Sequence, residues 1–242
     1  MTKVLISQSM LFPWVGMLEQ INLANIVVHY DDVQYSKGGY VNRVQLKMPE
    51  GIKWMTVPLF KANFGKSIDE LCPNEKIDWR KQHLQLLNRC FLNAPFRGDV
   101  IQLVEDVYAK SYDNIGQLSR ASMLALCRYF DLISNQNFID IRTLNVDGSN
   151  SSRVLEVVKR LNGTVYITGH GAANYLDHAQ FQAANIDVRY MNYKCTPYNQ
   201  LNGLFTPYVS SLDLVANLGR AGRSVIKSDS ISWKEFVNER NR

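Results

Sequence analysis

Residues 30–43 carry charged and polar side chains in a spacing suited to a binding or catalytic site. Asp31 and Asp32 follow the apolar run 26–28, which predicts a buried strand, so both carboxyl groups stand where that strand ends. Loops at the carboxyl ends of parallel strands are common ligand sites in open α/β sheets. A solvated turn with local Asx hydrogen bonds explains these residues equally well, so both interpretations stay open.

The same loop places Lys37, Asn42 and Arg43 within a dozen residues of the two acids. Paired carboxylates of this kind can hold a divalent cation that bridges nucleotide phosphates. One carboxylate could instead orient a histidine or accept the charge of an amine ligand. The spacing alone does not choose between these chemistries.

A second candidate is the turn Gly169-His170-Gly171, which follows the apolar run 164–167. We expect a strand-to-helix junction here, where free backbone N–H groups favour an anion and glycine lets a ligand approach closely. The turn lacks the lysine of a Walker loop and the third glycine of a dinucleotide fingerprint. His170 is a candidate general base, because a neutral imidazole is available near pH 7; a structural turn with a surface histidine fits equally well.

The remaining titratable residues give weaker signals. His83 falls in a predicted helix, where a histidine is more often a core or surface residue than a catalyst. The four cysteines are widely separated and include no Cys-x-x-Cys pair. This spacing indicates reduced thiols of a cytosolic protein and argues against a disulfide framework or a zinc site.

Length and composition favour a globular protein. The 242 residues, 46% hydrophobic and 20% charged, can form one full core or two small ones. No apolar stretch approaches the roughly 20 residues of a membrane span, and the chain turns polar at Ser7 too early for a signal peptide, which predicts a cytoplasmic protein. The net charge of +5 suits a phosphorylated small molecule or a nucleic acid, although a solvated face is the default explanation.

Apolar runs and helical periods alternate in the order expected of an α/β fold. Residues 43–48 and 53–59 alternate around a Pro-Glu-Gly turn, which predicts a β-hairpin. The other predicted elements are strands at 4–8, 26–29, 138–141, 164–167 and 186–190, and helices at 14–21, 151–161 and 175–185. We therefore expect a mainly parallel sheet with flanking helices, an N-terminal β-hairpin and a helical middle segment.

Between Trp79 and Asp131 the apolar spacing is helical and forms three separate faces. No repeat, low-complexity tract or clear linker interrupts the chain. We therefore expect residues 1–242 to form a single α/β domain, with 79–131 a helical insertion or subdomain that could act as a lid.

Short motifs in a fixed order resemble the WbqC-like protein family over nearly the whole chain. Each motif is weak alone, whereas their combination is specific. Where that family has His-Gln-Pro after the first strand, this chain has Ser7-Gln8-Ser9, so one candidate base is missing. The matching segments are Pro13-Trp14-x-Gly16, 31–37, Asn42-Arg43, Trp54-x-Thr56-Val57-Pro58, Trp79-x-Lys81-x-His83, Tyr166-x-x-Gly169, 175–177, Asn185-Ile186, Tyr198-x-Gln200, Phe205 and Ser210-x-x-Asp213-x-x-x-Asn217-x-Gly219.

The resemblance implies a role in the synthesis of O-antigen lipopolysaccharide or another surface polysaccharide. It implies an N-acyltransferase that adds an aminoacyl group such as glycyl to the amine of a nucleotide-linked amino-dideoxysugar, with a dTDP-sugar expected. No tightly bound cofactor is expected; the co-substrate would be a carrier-protein or CoA thioester, or an aminoacyl-tRNA. The alternatives are a tRNA- or nucleotide-binding module that delivers an activated amino acid, and a metal-dependent nucleotide-sugar transferase.

Acylation of a sugar amine requires a neutral amine, an oriented attack and a stabilised oxyanion. For this chemistry we assign Asp31 or Asp32 to the amine or its base, and His170 or His83 to the proton. Lys37 and Arg43 would neutralise phosphate, with arginine suited to a bidentate contact. The full set of predicted substrate-binding residues is Gln8, Lys37, Asn42, Arg43, Gly169, Gly171, Tyr198 and Gln200.

Overall fold

A six-stranded sheet forms the centre of the fold in the computed structural model, which describes residues 1–60, 65–133 and 136–240. A separate two-stranded hairpin packs beside it. The sheet strands are β1 Lys3–Ser7, β2 Ile26–His29, β5 Asn137–Asp140, β6 Val165–Thr168, β7 Asp187–Met191 and β8 Ser230–Ser232, and the hairpin strands are β3 Arg43–Met48 and β4 Gly51–Thr56.

The strand order β5-β2-β1-β6-β7-β8 gives the sheet a topological switch point. All neighbours are parallel except β8, which runs antiparallel to β7. The chain moves outward from β1 through β2 to β5 and then crosses to the other side of β1 for β6. The switch point therefore lies between the carboxyl ends of β1 and β6, where open α/β sheets bind ligands. The predicted α/β class with a mainly parallel sheet is confirmed.

Helices cover both faces of the sheet. Within the described residues, none of them is long and apolar enough to cross a membrane. The α-helices are α1 Val15–Leu23, α2 Trp79–Cys90, α3 Arg97–Tyr108, α4 Ile115–Tyr129, α5 Asn150–Arg160, α6 His178–Ala183, α7 Leu212–Leu218 and α8 Trp233–Arg240.

Alternating apolar residues in the strands create two cores, one on each face of the sheet. Leu5 and Val27 belong to a core that also contains residues of α1 to α4, α7 and the hairpin. Val4 and Val28, one position away, belong to a core formed with α5 and α6. Because side chains alternate between faces along a strand, the continuous apolar runs of β1 and β2 supply both cores.

The middle helices share a core with the start of the chain. Leu87 of α2 and Leu118 of α4 lie in the same apolar cluster as Met17 of α1. The division of residues 1–242 into one domain with a helical insertion at 79–131 stays a prediction.

The helix expected near Tyr175 begins only at His178. Asp177 caps it, because its carboxylate accepts hydrogen bonds from two backbone N–H groups at 3.0 and 3.4 Å. Directly after β6 the chain forms a single 3₁₀ turn, His170–Asn174. The expected junction between β6 and an α-helix is therefore wrong, and so short a turn supplies no extended helix dipole.

The sequence patterns predict neither β8 nor α8. β8 has three residues, and α8 contains no buried residue. Hydrophobic periodicity needs several buried positions before it distinguishes a strand or a helix, so it gives no signal here.

Gly163, between α5 and β6, provides a test of packing at the edge of the second core. A Cβ at this position would lie 2.7 Å from side-chain atoms of both Val158 and Val4. We expect Gly163→Ala to lower the free energy of unfolding by about 1–3 kcal/mol, because the core is already filled. Urea denaturation measures this difference.

The matched control is Gly98→Ala on α3, where an added Cβ meets nothing within 4 Å. We expect no loss of stability from this variant, because alanine is the better helix former. Equal destabilisation by the two variants would contradict the packing argument.

Candidate functional site

An ionic network joins the carboxyl ends of β2 and β5 to helix α4. Asp31, just beyond β2, is 1% exposed and accepts hydrogen bonds from the backbone N–H of Ser9 at 2.8 Å and from its hydroxyl at 2.7 Å. Arg120 of α4 donates to Asp31 at 3.0 Å and to Asp140 at 2.6 Å. The carboxylate of Asp31 is thus satisfied by protein groups, and Arg120 binds two strand ends at once.

Asp32 lies in a second ion pair. Arg153 of α5 donates to both of its carboxylate oxygens, at 3.0 and 2.5 Å, and the guanidinium group lies 4.9 Å from the ring centre of Tyr30. Such bidentate pairs are the stronger and more specific ionic contacts. Both predicted catalytic acids are therefore counter-ions of arginines that lie far away in the sequence.

His29 extends the network into the core. Its Nδ1 lies 2.9 Å from the hydroxyl oxygen of Ser9, and Phe138 stacks on its ring at 5.9 Å. Because the Ser9 hydroxyl donates its hydrogen to Asp31, Nδ1 must be the donor to Ser9. Burial, reinforced by the charge of Arg120, lowers the pKa of His29 to about 3, so the ring is neutral.

Of the two predicted phosphate-binding residues of the loop, Arg43 has structural partners, whereas Lys37 points to solvent-exposed surface. The Arg43 guanidinium donates to the backbone carbonyls of Gly38 and Gly39 and lies 4.0 Å from the ring centre of Trp54. Neither side chain contacts the ionic network around Asp31 in the described hydrogen bonds and ion pairs.

Asn42 is buried and holds the loop to the hairpin. Its amide group accepts from the Tyr35 hydroxyl at 2.8 Å and donates to the carbonyl of Val57 at 2.9 Å. These bonds satisfy a buried polar side chain and fix the chain on both sides of the loop.

His83 lies apart from the other predicted catalytic residues. Its ring packs against Trp79, while Nδ1 lies 2.8 Å from the Tyr108 hydroxyl and Nε2 lies 3.0 Å from the Thr56 carbonyl. Burial lowers its pKa to about 4. The structure does not bring His83 to the ends of the parallel strands.

Polar and aromatic side chains lie together at the switch point between β1 and β6. We call this region, formed by Trp14, Gln20, Gly169, His170 and Tyr193, the switch-point crevice. The ring centre of Tyr193 lies 4.9 Å from that of Trp14 and 5.1 Å from that of His170. A Cβ on Gly169 would lie 3.2 Å from the Tyr193 hydroxyl and 3.9 Å from the side-chain amide of Gln20. A side chain at position 169 would therefore press on the Tyr193 hydroxyl.

Three further predicted residues lie just beyond the carboxyl ends of β1 and β6. His170 is exposed, and its Nε2 lies 2.7 Å from the carbonyl of Met191. Gly171 is exposed with open space around it. Gln8, at the end of β1, is half-buried, and its backbone carbonyl accepts from the Ser7 hydroxyl at 3.1 Å.

Residues 192–211, which we call the covering segment, connect β7 to α7 without a helix or strand. Loops of this length in compact domains are often active-site lids. The Tyr198 hydroxyl donates to Asp213 at 2.9 Å, and Gln200 donates to Tyr198 at 3.0 Å and accepts from Lys47 at 3.1 Å. The predicted binding residues Tyr198 and Gln200 thus anchor this segment to α7 and the hairpin.

Glu19 was not nominated from the sequence. It is 1% exposed, and one of its carboxyl oxygens, Oε1, has no hydrogen-bond partner in the described part of the chain. Burial raises its pKa to about 7, against the opposing backbone N–H and charge of Lys194. Glu19 is the one charged residue of α1, which was the available sequence signal, and every residue from Val15 to Ile21 is buried in the fold.

No group of three or more histidine, cysteine, aspartate and glutamate side chains is placed to hold a metal ion within residues 1–60, 65–133 and 136–240. Asp31 and Asp32 face Arg120 and Arg153, respectively.

The contribution of the Arg120 ion pairs to the free energy of unfolding can be tested by substitution. We expect Arg120→Ala to lower the free energy of unfolding by about 3–5 kcal/mol, because it leaves the buried Asp31 without its charge partner. The control is Arg142→Ala, whose side chain is 59% exposed and pairs with Asp69 at 2.7 Å. An exposed pair contributes about 0–1 kcal/mol, so similar losses in the two variants would contradict the assignment.

The raised pKa of Glu19 predicts a pH-dependent stability. The folded protein holds this proton more tightly than the unfolded chain, so the contribution is complete below about pH 4.5 and is lost as the pH rises through about 7. Relative to the wild type, Glu19→Gln should gain about 3 kcal/mol of unfolding free energy between pH 4.5 and pH 8. Glu156→Gln, at a side chain that is 47% exposed, should show no such trend. A flat difference for Glu19→Gln would refute the burial argument.

Comparison with known proteins supports one family assignment. The model of the WbqC-like protein family matches residues 8–225. An uncharacterized protein of Mycobacterium tuberculosis (strain ATCC 25618 / H37Rv), Rv1507c, is 31% identical over 223 residues, which cover 90% of this chain and 95% of that protein. No solved structure matches the chain. The match over nearly the whole length shows that the chain belongs to the WbqC-like protein family.

Proposed function

We propose that the protein is an N-acyltransferase of O-antigen or related surface-polysaccharide synthesis. It transfers an activated acyl group, such as glycyl, to the amine of a nucleotide-linked amino-dideoxysugar. The amine attacks the acyl carbonyl, the amide bond forms, and the thiol or tRNA hydroxyl of the donor leaves with the proton that the amine loses.

The observation that carries this proposal is the chemistry of the switch-point crevice. The rings of Trp14 and Tyr193 lie there beside the side-chain amide of Gln20 and the backbone of Gly169. Aromatic faces stack on sugar and base rings, whereas amide groups bond hydroxyls. Open α/β sheets bind ligands at this position, so the geometry suits a nucleotide-linked sugar.

In this proposal His170 takes the proton of the attacking amine. A neutral ring that donates Nε2–H to the Met191 carbonyl, 2.7 Å away, keeps Nδ1 as a proton acceptor. His170 also contacts Tyr193 within the crevice. Of the two histidines nominated from the sequence, only His170 lies at the switch point, because His83 is in the core between α2 and α3.

Asp31 and Asp32 support this site indirectly. Their oxygens are engaged by Ser9, Arg120 and Arg153, which hold the ends of β1 and β2 in place. We therefore assign them to positioning, since a carboxylate already paired with arginine has lost much of its attraction for an amine.

The proposed activity is tested by incubation with a dTDP-linked amino-dideoxysugar and glycine activated as a CoA thioester, a carrier-protein thioester or a tRNA ester. Mass spectrometry should show the sugar nucleotide gaining one glycyl group. No gain with any of these donors contradicts the proposal. Activity lost on chelation and restored by Mg²⁺ or Mn²⁺ would favour a metal-dependent transferase instead.

The role of His170 is tested by His170→Ala. We expect kcat/KM to fall by about 100-fold or more, because a general base contributes about that much. The control is His178→Ala on α6, whose Nε2 lies 2.8 Å from the Tyr190 hydroxyl, away from the crevice. Equal activity of the two folded variants would remove His170 from the mechanism.

A further inference from the structure

A small cavity lies between α1 and the covering segment, and the roles assigned above do not use it. The side chains of Trp14 and Glu19 line one side, and those of Cys195, Tyr198 and Phe205 line the other. Its volume of about 10 Å³ matches roughly one water-sized group. The cavity itself therefore has room for one small polar group of a ligand.

The carboxyl group of Glu19 is the polar feature of this cavity. Its Oε2 accepts a long hydrogen bond of 3.4 Å from the backbone N–H of Lys194, whereas Oε1 has no partner among the described residues. The Lys194 ammonium group is not the missing partner, because it pairs with Asp229 at 2.9 Å. A buried oxygen of this kind favours a ligand that brings its own hydrogen-bond donors.

We infer that this cavity binds the head of a primary ammonium group, with Glu19 as its counter-ion. Three N–H donors of an ammonium group can satisfy the open carboxyl oxygen, and aromatic rings such as those of Trp14, Tyr198 and Phe205 attract a cation. A quaternary ammonium group has no N–H donor for the open carboxyl oxygen, so it does not satisfy this site. Burial raises the pKa of Glu19 to about 7, so an arriving cation meets a carboxyl group that ionises readily near neutral pH.

The biological source of the ammonium group rests on the proposed function. An aminoacyl transfer involves two primary amines, one on the sugar acceptor and one on the aminoacyl donor. Both can be protonated, but only the amine of the donor can stay an ammonium group during the reaction, because the sugar amine must be neutral when it attacks. The cavity adjoins the switch-point crevice through Trp14, whose ring contacts Tyr193, so either amine lies within the same region.

The direct test is binding of methylammonium to the full chain at pH 7.5, followed by NMR of the Trp14 indole N–H. We expect a saturable shift with methylammonium and none with tetramethylammonium, which has the same charge but no N–H donor. Glu19→Gln should weaken methylammonium binding at least tenfold, whereas the exposed Glu156→Gln should not. A shift that is absent in the wild type, or unchanged in folded Glu19→Gln, overturns the inference.

Steady-state kinetics distinguish the two sources. If the donor supplies the ammonium group, the wild-type protein has a higher kcat/KM for a glycyl donor than for an acetyl donor, and the Glu19→Gln variant loses this difference. If the sugar supplies it, Glu19→Gln raises KM for the amino sugar equally with both donors. Absence of transfer by the wild-type protein would contradict the proposed function, while methylammonium binding would still decide the role of the cavity.

Discussion

The contact on which the site depends is the double ion pair of Arg120. One guanidinium group on α4 binds Asp31 after β2 and Asp140 at the end of β5, and Asp31 in turn binds Ser9 after β1. Three neighbouring strand ends and one helix of the middle segment are thus joined by charges, and Asp31 at their centre is almost fully buried. Charges in such a place are stable only when each has its partner, so the arrangement has little freedom to change.

Most strands could be predicted from the sequence, because their apolar runs are short, continuous and bounded by turn residues. β2 and β3 have the predicted bounds, and β1, β5, β6 and β7 are each shifted by one residue along the chain. The start of α6 was misplaced, because the cap formed by Asp177 decides it locally. Hydrophobic periodicity does not detect β8 and α8, because β8 has three residues and α8 has no buried residue.

The candidate site was only partly predictable. Local patterns located Asp31 and Asp32 at a strand end, but their partners Arg120 and Arg153 lie 89 and 121 residues away, and no spacing rule connects such positions. By contrast, Arg43 has the residue type expected of a phosphate ligand, but its guanidinium group donates to a backbone carbonyl of the turn before it. Residue type and local spacing predict where polar groups collect, whereas tertiary contacts decide which of them remain available to a ligand.

Tyr193 gives the crevice a kinetic property. Its ring contacts those of both Trp14 and His170, so under the proposed function a ligand that stacks between these two rings has to displace Tyr193. The observed association rate would then level off at high ligand concentration, since opening and not collision becomes limiting. Return of the ring over a bound ligand would lengthen its residence time. On the proposed function, the turnover number would report the motion of a loop more than the making of a bond.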